Sequence, residues 1–504
     1  VSGGLIFRAA LILLLCLVAA PAAAALPDLP WGYVDTSLVI PTGAAIWVPN
    51  GGDLQHALNV AEPGDVILLE AGGVFHGPFT LPRKTGEGWI AVVSSRVLEL
   101  EAGQRVLPSD APKLAVLEGG QPSVLQTEPG AHHYRFVGLE IRPPADTFMF
   151  NIVDVGSDAR TTDDIPHHVI FDRCYLHGDS GQGARRALAM NGAHIAVIDS
   201  YLSDFKEVNN DSQAIVGWSG PGPFKIVNNY LEAAGENVMF GGEDPWLEGL
   251  VPSDIEIRNN DIARPWSWWH QHPDYDGRGW TIKNLLELKN ARRVLIQGNR
   301  FARNWAHGQQ GFSIVLTPRN QEGTAPWSRV EDVTFIDNEL HDIDSGVNIA
   351  AFDDRNPNVT LARVLIRNNL FAGVGMTPGT GRAFQLLGGP PDVTIEDNTV
   401  VHGAWPNTFV MFDEQPPAPG LVIRNNILSY GLYGMYGNGV GSGTAALERF
   451  APGAIFDGNV LYGFDPDNLG RIESQYPVGN TYIPDAAAVV FGEGTGYQPV
   501  IASP

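Results

Sequence analysis

The chain has 504 residues, with 32 basic and 56 acidic side chains and a formal net charge of −24. That balance argues against nucleic acid as a partner, and two cysteines are too few for a disulfide framework. It also sets a condition on any polyanionic ligand, which needs a local basic site to overcome the general repulsion.

In chain order, residues 5–25 (LIFRAALILLLCLVAAPAAAA) form an apolar run ending in small residues, with Arg8 on its N-terminal side. This is the pattern of a secretory signal peptide cleaved near Ala25. The expected location is therefore secreted or periplasmic, in a bacterium, with no membrane attachment after cleavage. Cys174 is then the sole thiol, with a structural role. Residues 26–46 read as a linker. A short amphipathic helix is expected from Asp53 to Ala61, with Asp53 as its N-cap. Tyr134–Ile141 (YRFVGLEI) reads as an early strand.

From Val169 to Leu461, ten segments repeat the pattern apolar–x–apolar–x–x–Asn–x–apolar. Asn fills the sixth position at 229, 260, 299, 338, 369, 398, 426 and 459, while Cys174 and Ser200 fill it in the first two segments. Alternation of apolar residues makes each segment a strand with one buried face. Successive slots lie 26 to 39 residues apart, too far for hairpins, and no long amphipathic stretch separates them. A solenoid fits: short parallel strands and turns, each coil stacked on the next, with about 11–13 coils over residues 47–485. Asn tolerates the left-handed backbone of a sharp turn, and stacked amides can bond from coil to coil. After Arg471 the patterning weakens into an irregular cap, and 486–504 form a tail.

The repeat resembles the right-handed parallel β-helix of the pectate-lyase-like superfamily, found in many secreted bacterial proteins. The resemblance implies an all-β, monomeric solenoid plugged at its N-terminal end by the short helix. It also implies that the Asn slot precedes the last strand of each coil, so that the sheet used for substrate is built from ALAMN, AIVGW, VMFGGED, LLELKN, SIVLTPR, VNIAAFDD, FQLLG and FVMFDE. In LLELKN, Leu286 and Leu288 suit the core, which turns Glu287 and Lys289 outward. The stretch Glu287–Gln321 further resembles chondroitinase-B-type and alginate polysaccharide lyases, which carry a Lys before an Asn–x–Phe turn and an Arg after a Leu-Thr strand. Lys289 and Arg319 match those positions, and Asn299 with Phe301 match the turn; Pro318-Arg319-Asn320 departs from the usual Arg-His.

The implied reaction is β-elimination on a uronic-acid glycan, with Lys289 and Arg319 as catalytic residues. A lysine base needs the neutral amine, which a neighbouring cation and partial burial favour. The substrate carboxylate needs neutralising by an Arg or by Ca²⁺, for which Glu236, Glu243 and Asp244 are candidate ligands. Glu287, Asn320 and Asp353 are expected to contact substrate. Trp218, Trp268 and Trp269 are expected to stack on sugar rings, although the Trp-rich loop 264–280 equally suits a packed mini-core. Alternatives are a glycoside hydrolase using two of Asp353, Asp354, Asp413 and Glu414 at about 5–9.5 Å, a uronate epimerase, and a non-catalytic glycan-binding solenoid.

Overall fold

The computed structural model describes residues 24–38, 41–491 and 499–501. The signal-peptide reading falls almost wholly outside the described residues. Among those described, no helix is long and apolar enough to cross a membrane.

Three long sheets of 14, 14 and 13 strands run the length of the molecule, parallel throughout except at one C-terminal hairpin. One coil shows the path. Ala291–Gln297 lies in the first sheet, the Gly298–Asn299 turn leads to Arg300–Asn304 in the second, and Phe312–Leu316 follows in the third. Val330–Ile336 then pairs with Ala291–Gln297 one coil on. This is a parallel β-helix, in which each of the ten repeat segments runs from a first-sheet strand through the turn into the second sheet, and the expected substrate-side segments lie in the third. Inward side chains of all three sheets fill one continuous apolar core, in which like residues stack, as Phe136 does on Phe171 at 5.0 Å.

The Asn slot is a ladder in the literal sense. Asn299 donates its backbone N–H to Asn338 Oδ1 at 2.9 Å and its amide to Ile257 O and Asn338 Oδ1. The same bonds recur from Asn229 to Asn459 and end on Asn480, one coil beyond the repeats read from sequence. Ser200 accepts from Cys174 N and donates its own N–H to Asn229 Oδ1, so Cys174 and Ser200 continue the column. The expected backbone conformation sits one residue earlier. The left-handed residue is the one before each ladder Asn: Asn228, Asn259, Gly298, Asp337, Asn368, Asp397, Asn425 and Gly458, at φ 54 to 66°. The turn therefore divides its two tasks between neighbours, strain at one residue and hydrogen bonding at the next.

Helix Leu54–Val60 closes the N-terminal end with Leu54, Ala57 and Leu58 buried, and Asp53 accepts from His56 N at 2.8 Å as its cap. Helix Thr444–Phe450 closes the other end with Ala446, Leu447 and Phe450 in the core.

Residues 25–37, read as the end of a signal peptide and the start of a linker, form a strap along the outside of the first sheet. Ala25 N donates to Asp392, Asp28 N to Asp332 and Trp31 N to Asp254, while Arg135 donates to the carbonyls of Thr36 and Ser37. The strap thus runs against the direction in which the coils are added. Val34 is buried against Ile170 and Ala196.

Candidate functional site

The third sheet carries the site. Leu286 and Leu288 are fully buried in the core, and the alternation turns Glu287 outward. Lys289 and Asn290 both donate backbone N–H groups to Phe240 O of the preceding coil, at 2.7 and 3.2 Å. Gly241 makes this possible: at φ +94° a Cβ there would lie 2.7 Å from Asn290 N. The glycine pair 241–242 serves the turn that seats Lys289.

On the next coil Thr317 N bonds Leu288 O, Pro318 ends the ladder, and Arg319 N bonds Lys289 O at 2.8 Å. The two residues expected to be catalytic are thus backbone neighbours across coils. Lys289 Nζ stands 3.7 Å from Glu287 Oε1, and the Asn284 amide donates to Glu287 Oε2 at 3.1 Å. Arg319 Nη1 donates to Asp353 Oδ1 at 2.8 Å and also to Asp354. Asp353 further accepts from the backbone N–H groups of Asn320 and Arg355. Burial alone would raise Asp353; the donated N–H groups, the Asn356 amide and the Arg319 charge outweigh it and hold the carboxyl below its usual range.

Glu287, Lys289, Arg319, Asn320 and Asp353 line one groove of about 560 Å³, together with Gln309, Asn348 and Glu414. Five expected site residues therefore meet, and three of these polar lining groups extend the strip to both sides. Gln309 lies in a loop with no pattern of its own, whereas Asn348 was discernible as the outward residue of VNIAAFDD, in register with Val315 and Gln385.

The other expected site residues lie outside this groove. Glu236, Glu243 and Asp244 do not converge on a metal position: the only described trio of metal-type side chains with ligand atoms within 4.8 Å is His133, His167 and His168. Glu236 is fully buried, salt-bridged to Lys283 at 2.6 Å and accepting from Gln213 at 2.7 Å. Burial lifts its carboxyl to about 7, with Lys283 opposing the rise and Glu287 adding to it. Asp244 accepts from Glu322 N, Thr324 N and the Thr324 hydroxyl, and so anchors a loop. Trp218 and Trp268 are each 4% exposed, one packed with Val216 and Met239, the other with Trp280 and Trp305. Trp269 is half-buried on the same cluster. The aromatic loop is a mini-core, closed underneath by Lys206 at 5.2 Å from the Trp268 ring.

No protein-family model and no curated protein matches the chain. Solved structures do. The catalytic unit of a thermostable GH87 α-1,3-glucanase from Streptomyces thermodiastaticus strain HF3-3 superposes with TM-score 0.52 at 12% identity, covering 90% of this chain and 70% of that one. A tailspike protein mutant of E. coli bacteriophage HK620 gives 0.51 at 11%, covering 82% and 63%. The parallel β-helix is the shared fold. A mannuronic-acid-specific family 6 polysaccharide lyase from human gut microbiota aligns at TM-score 0.46 and 11% identity, over 88% of this chain and 92% of that one.

Proposed function

We propose that the groove binds an extracellular polysaccharide and acts on a uronic-acid residue by β-elimination. The observation that carries this reading is the pairing of Lys289 with Arg319 on adjacent coils, side by side in one open groove lined by amides and carboxylates. In this reading the uronate carboxylate faces Arg319, displacing the exposed Asp354 from the guanidinium. The Lys289 amine takes the C5 proton, C4=C5 forms as the C4–O bond breaks, and the resulting ammonium returns the proton to the departing O4. Asn320 and Glu287 position the sugar and the amine. Arg319 takes the carboxylate-neutralising role, since the three carboxylates expected to hold Ca²⁺ lie apart. Against a chain charge of −24, Arg319, once released from Asp354, is the cation that a uronate carboxylate would meet in this groove.

A hydrolase is the second reading, favoured by the fold likeness to a structure named as a glucanase and by the presence of Asp353, Asp354 and Glu414 in the same groove. One experiment separates the two. Purified protein is incubated with polymannuronate, polyguluronate, pectate, chondroitin and α-1,3-glucan, with and without chelator. Ultraviolet absorbance of an unsaturated uronate supports elimination, and reducing ends without that absorbance support hydrolysis. Binding without either product leaves a glycan-binding solenoid.

A further inference from the structure

The start of the first-sheet strands holds a column of left-handed residues that runs His133, His168, His194 and, beyond Pro223, Asp254, Arg293, Asp332, Arg363, Asp392. In its upper part opposite charges alternate: Arg293 forks onto Asp254 at 2.7 and 2.9 Å, and Arg363 onto Asp332 at 2.6 and 2.9 Å. The lower part packs like on like. His132 stacks on His167 at 4.8 Å, and His133 on His168 and His168 on His194 at 4.4 Å each. Within each His-His pair the two Nδ1 atoms face one another at 2.9 and 2.8 Å. Among the described residues none of these five rings forms a salt bridge or hydrogen bond with an acid.

We propose that His133, His167 and His168 bind a first-row divalent cation of the Zn²⁺ or Cu²⁺ class on the outer face of the first sheet, remote from the groove of the third. Their ligand nitrogens already lie within 4.8 Å of one another, and a donor set of imidazoles without thiolate or carboxylate suits these ions. The left-handed backbone at His133 and His168 and the edge of Trp89, 5.2 and 6.1 Å from their rings, hold the imidazoles close together.

The test uses untagged protein, with Zn²⁺ followed by calorimetry and Co²⁺ by its visible absorption. The expected result is one Zn²⁺ per chain, Co²⁺ bands of a nitrogen-ligated low-coordinate site, and affinity reduced by roughly tenfold or more in His133→Ala and His168→Ala. Exposed His270→Ala should leave binding unchanged. Absence of binding overturns the proposal, as does binding that survives both alanine variants or that depends on His270. Should circular dichroism show an alanine variant to be unfolded, the His133→Gln and His168→Gln proteins decide by the same readouts.

Discussion

Lys289 stands between Glu287, whose carboxylate is 3.7 Å from its amine, and Arg319, its backbone neighbour on the next coil. If it is the base, Lys289→Ala lowers kcat by about 10²–10⁴-fold; an active variant of unchanged rate would remove Lys289 from the mechanism. Arg319→Ala strips a direct 2.8 Å ion pair from Asp353, which is 1% exposed. Both activity and stability should fall, and Arg319→Lys should restore stability ahead of kcat/KM, a split visible by pairing calorimetry with kinetics. Glu236 supplies a pH signature. Its folded-state value of about 7 lies above the ordinary carboxyl value of 4.5, so its stabilising contribution is complete below pH 4.5 and is lost as pH rises through 7. A plot of Tm against pH should show that decline in the wild type and lack it in Glu236→Gln; equal slopes would contradict the assignment. Glu287, Lys289, Arg319, Asn320 and Asp353 were legible because register and alternation place them. Glu236 was not, since its neutralising Lys283 sits in a segment without pattern.

At the scale of the element, the turn after each first-sheet strand does the most. Asn338 accepts from both nitrogens of Asn299 and donates to Ile296 O and Asn369 Oδ1. Asn338→Ala leaves buried donors and acceptors on both adjoining coils, so a loss of about 1–3 kcal/mol per unsatisfied group is expected, measurable as a lowered Tm. Asn480→Ala, at the end of the column, should cost less. The ladder was readable because the pattern repeats ten times, and repetition separates signal from accident. The division between a strained residue and a bonding one was not, since Asn-Asn pairs present the same side chain at both positions. The tryptophans illustrate a different limit. Composition marks loop 264–280 as aromatic, but the partner that buries it, Trp305, comes from the following coil. Trp305→Ala should destabilise by about 3–5 kcal/mol without changing glycan binding in the groove.

At the scale of the molecule, a solenoid's stability is close to a sum of coil and interface contributions, and its ends and long-range fastenings decide how cooperatively it unfolds. The strap is such a fastening. Deleting residues 24–37 should lower Tm, broaden the transition and increase amide exchange in the first-sheet strands around Ile170 and Ala196; exchange confined to the terminus itself would show the strap to be ornamental. Nothing in its sequence announces this role, because its partners lie up to 367 residues away.

That separation also imposes an order of events. Coils can stack as they emerge, each on its predecessor, but Ala25 cannot reach its partner until the coil bearing Asp392 exists. The first described stretch of polypeptide to be synthesised therefore cannot finish seating until that coil is in place, and its seating is a record that assembly has proceeded at least that far.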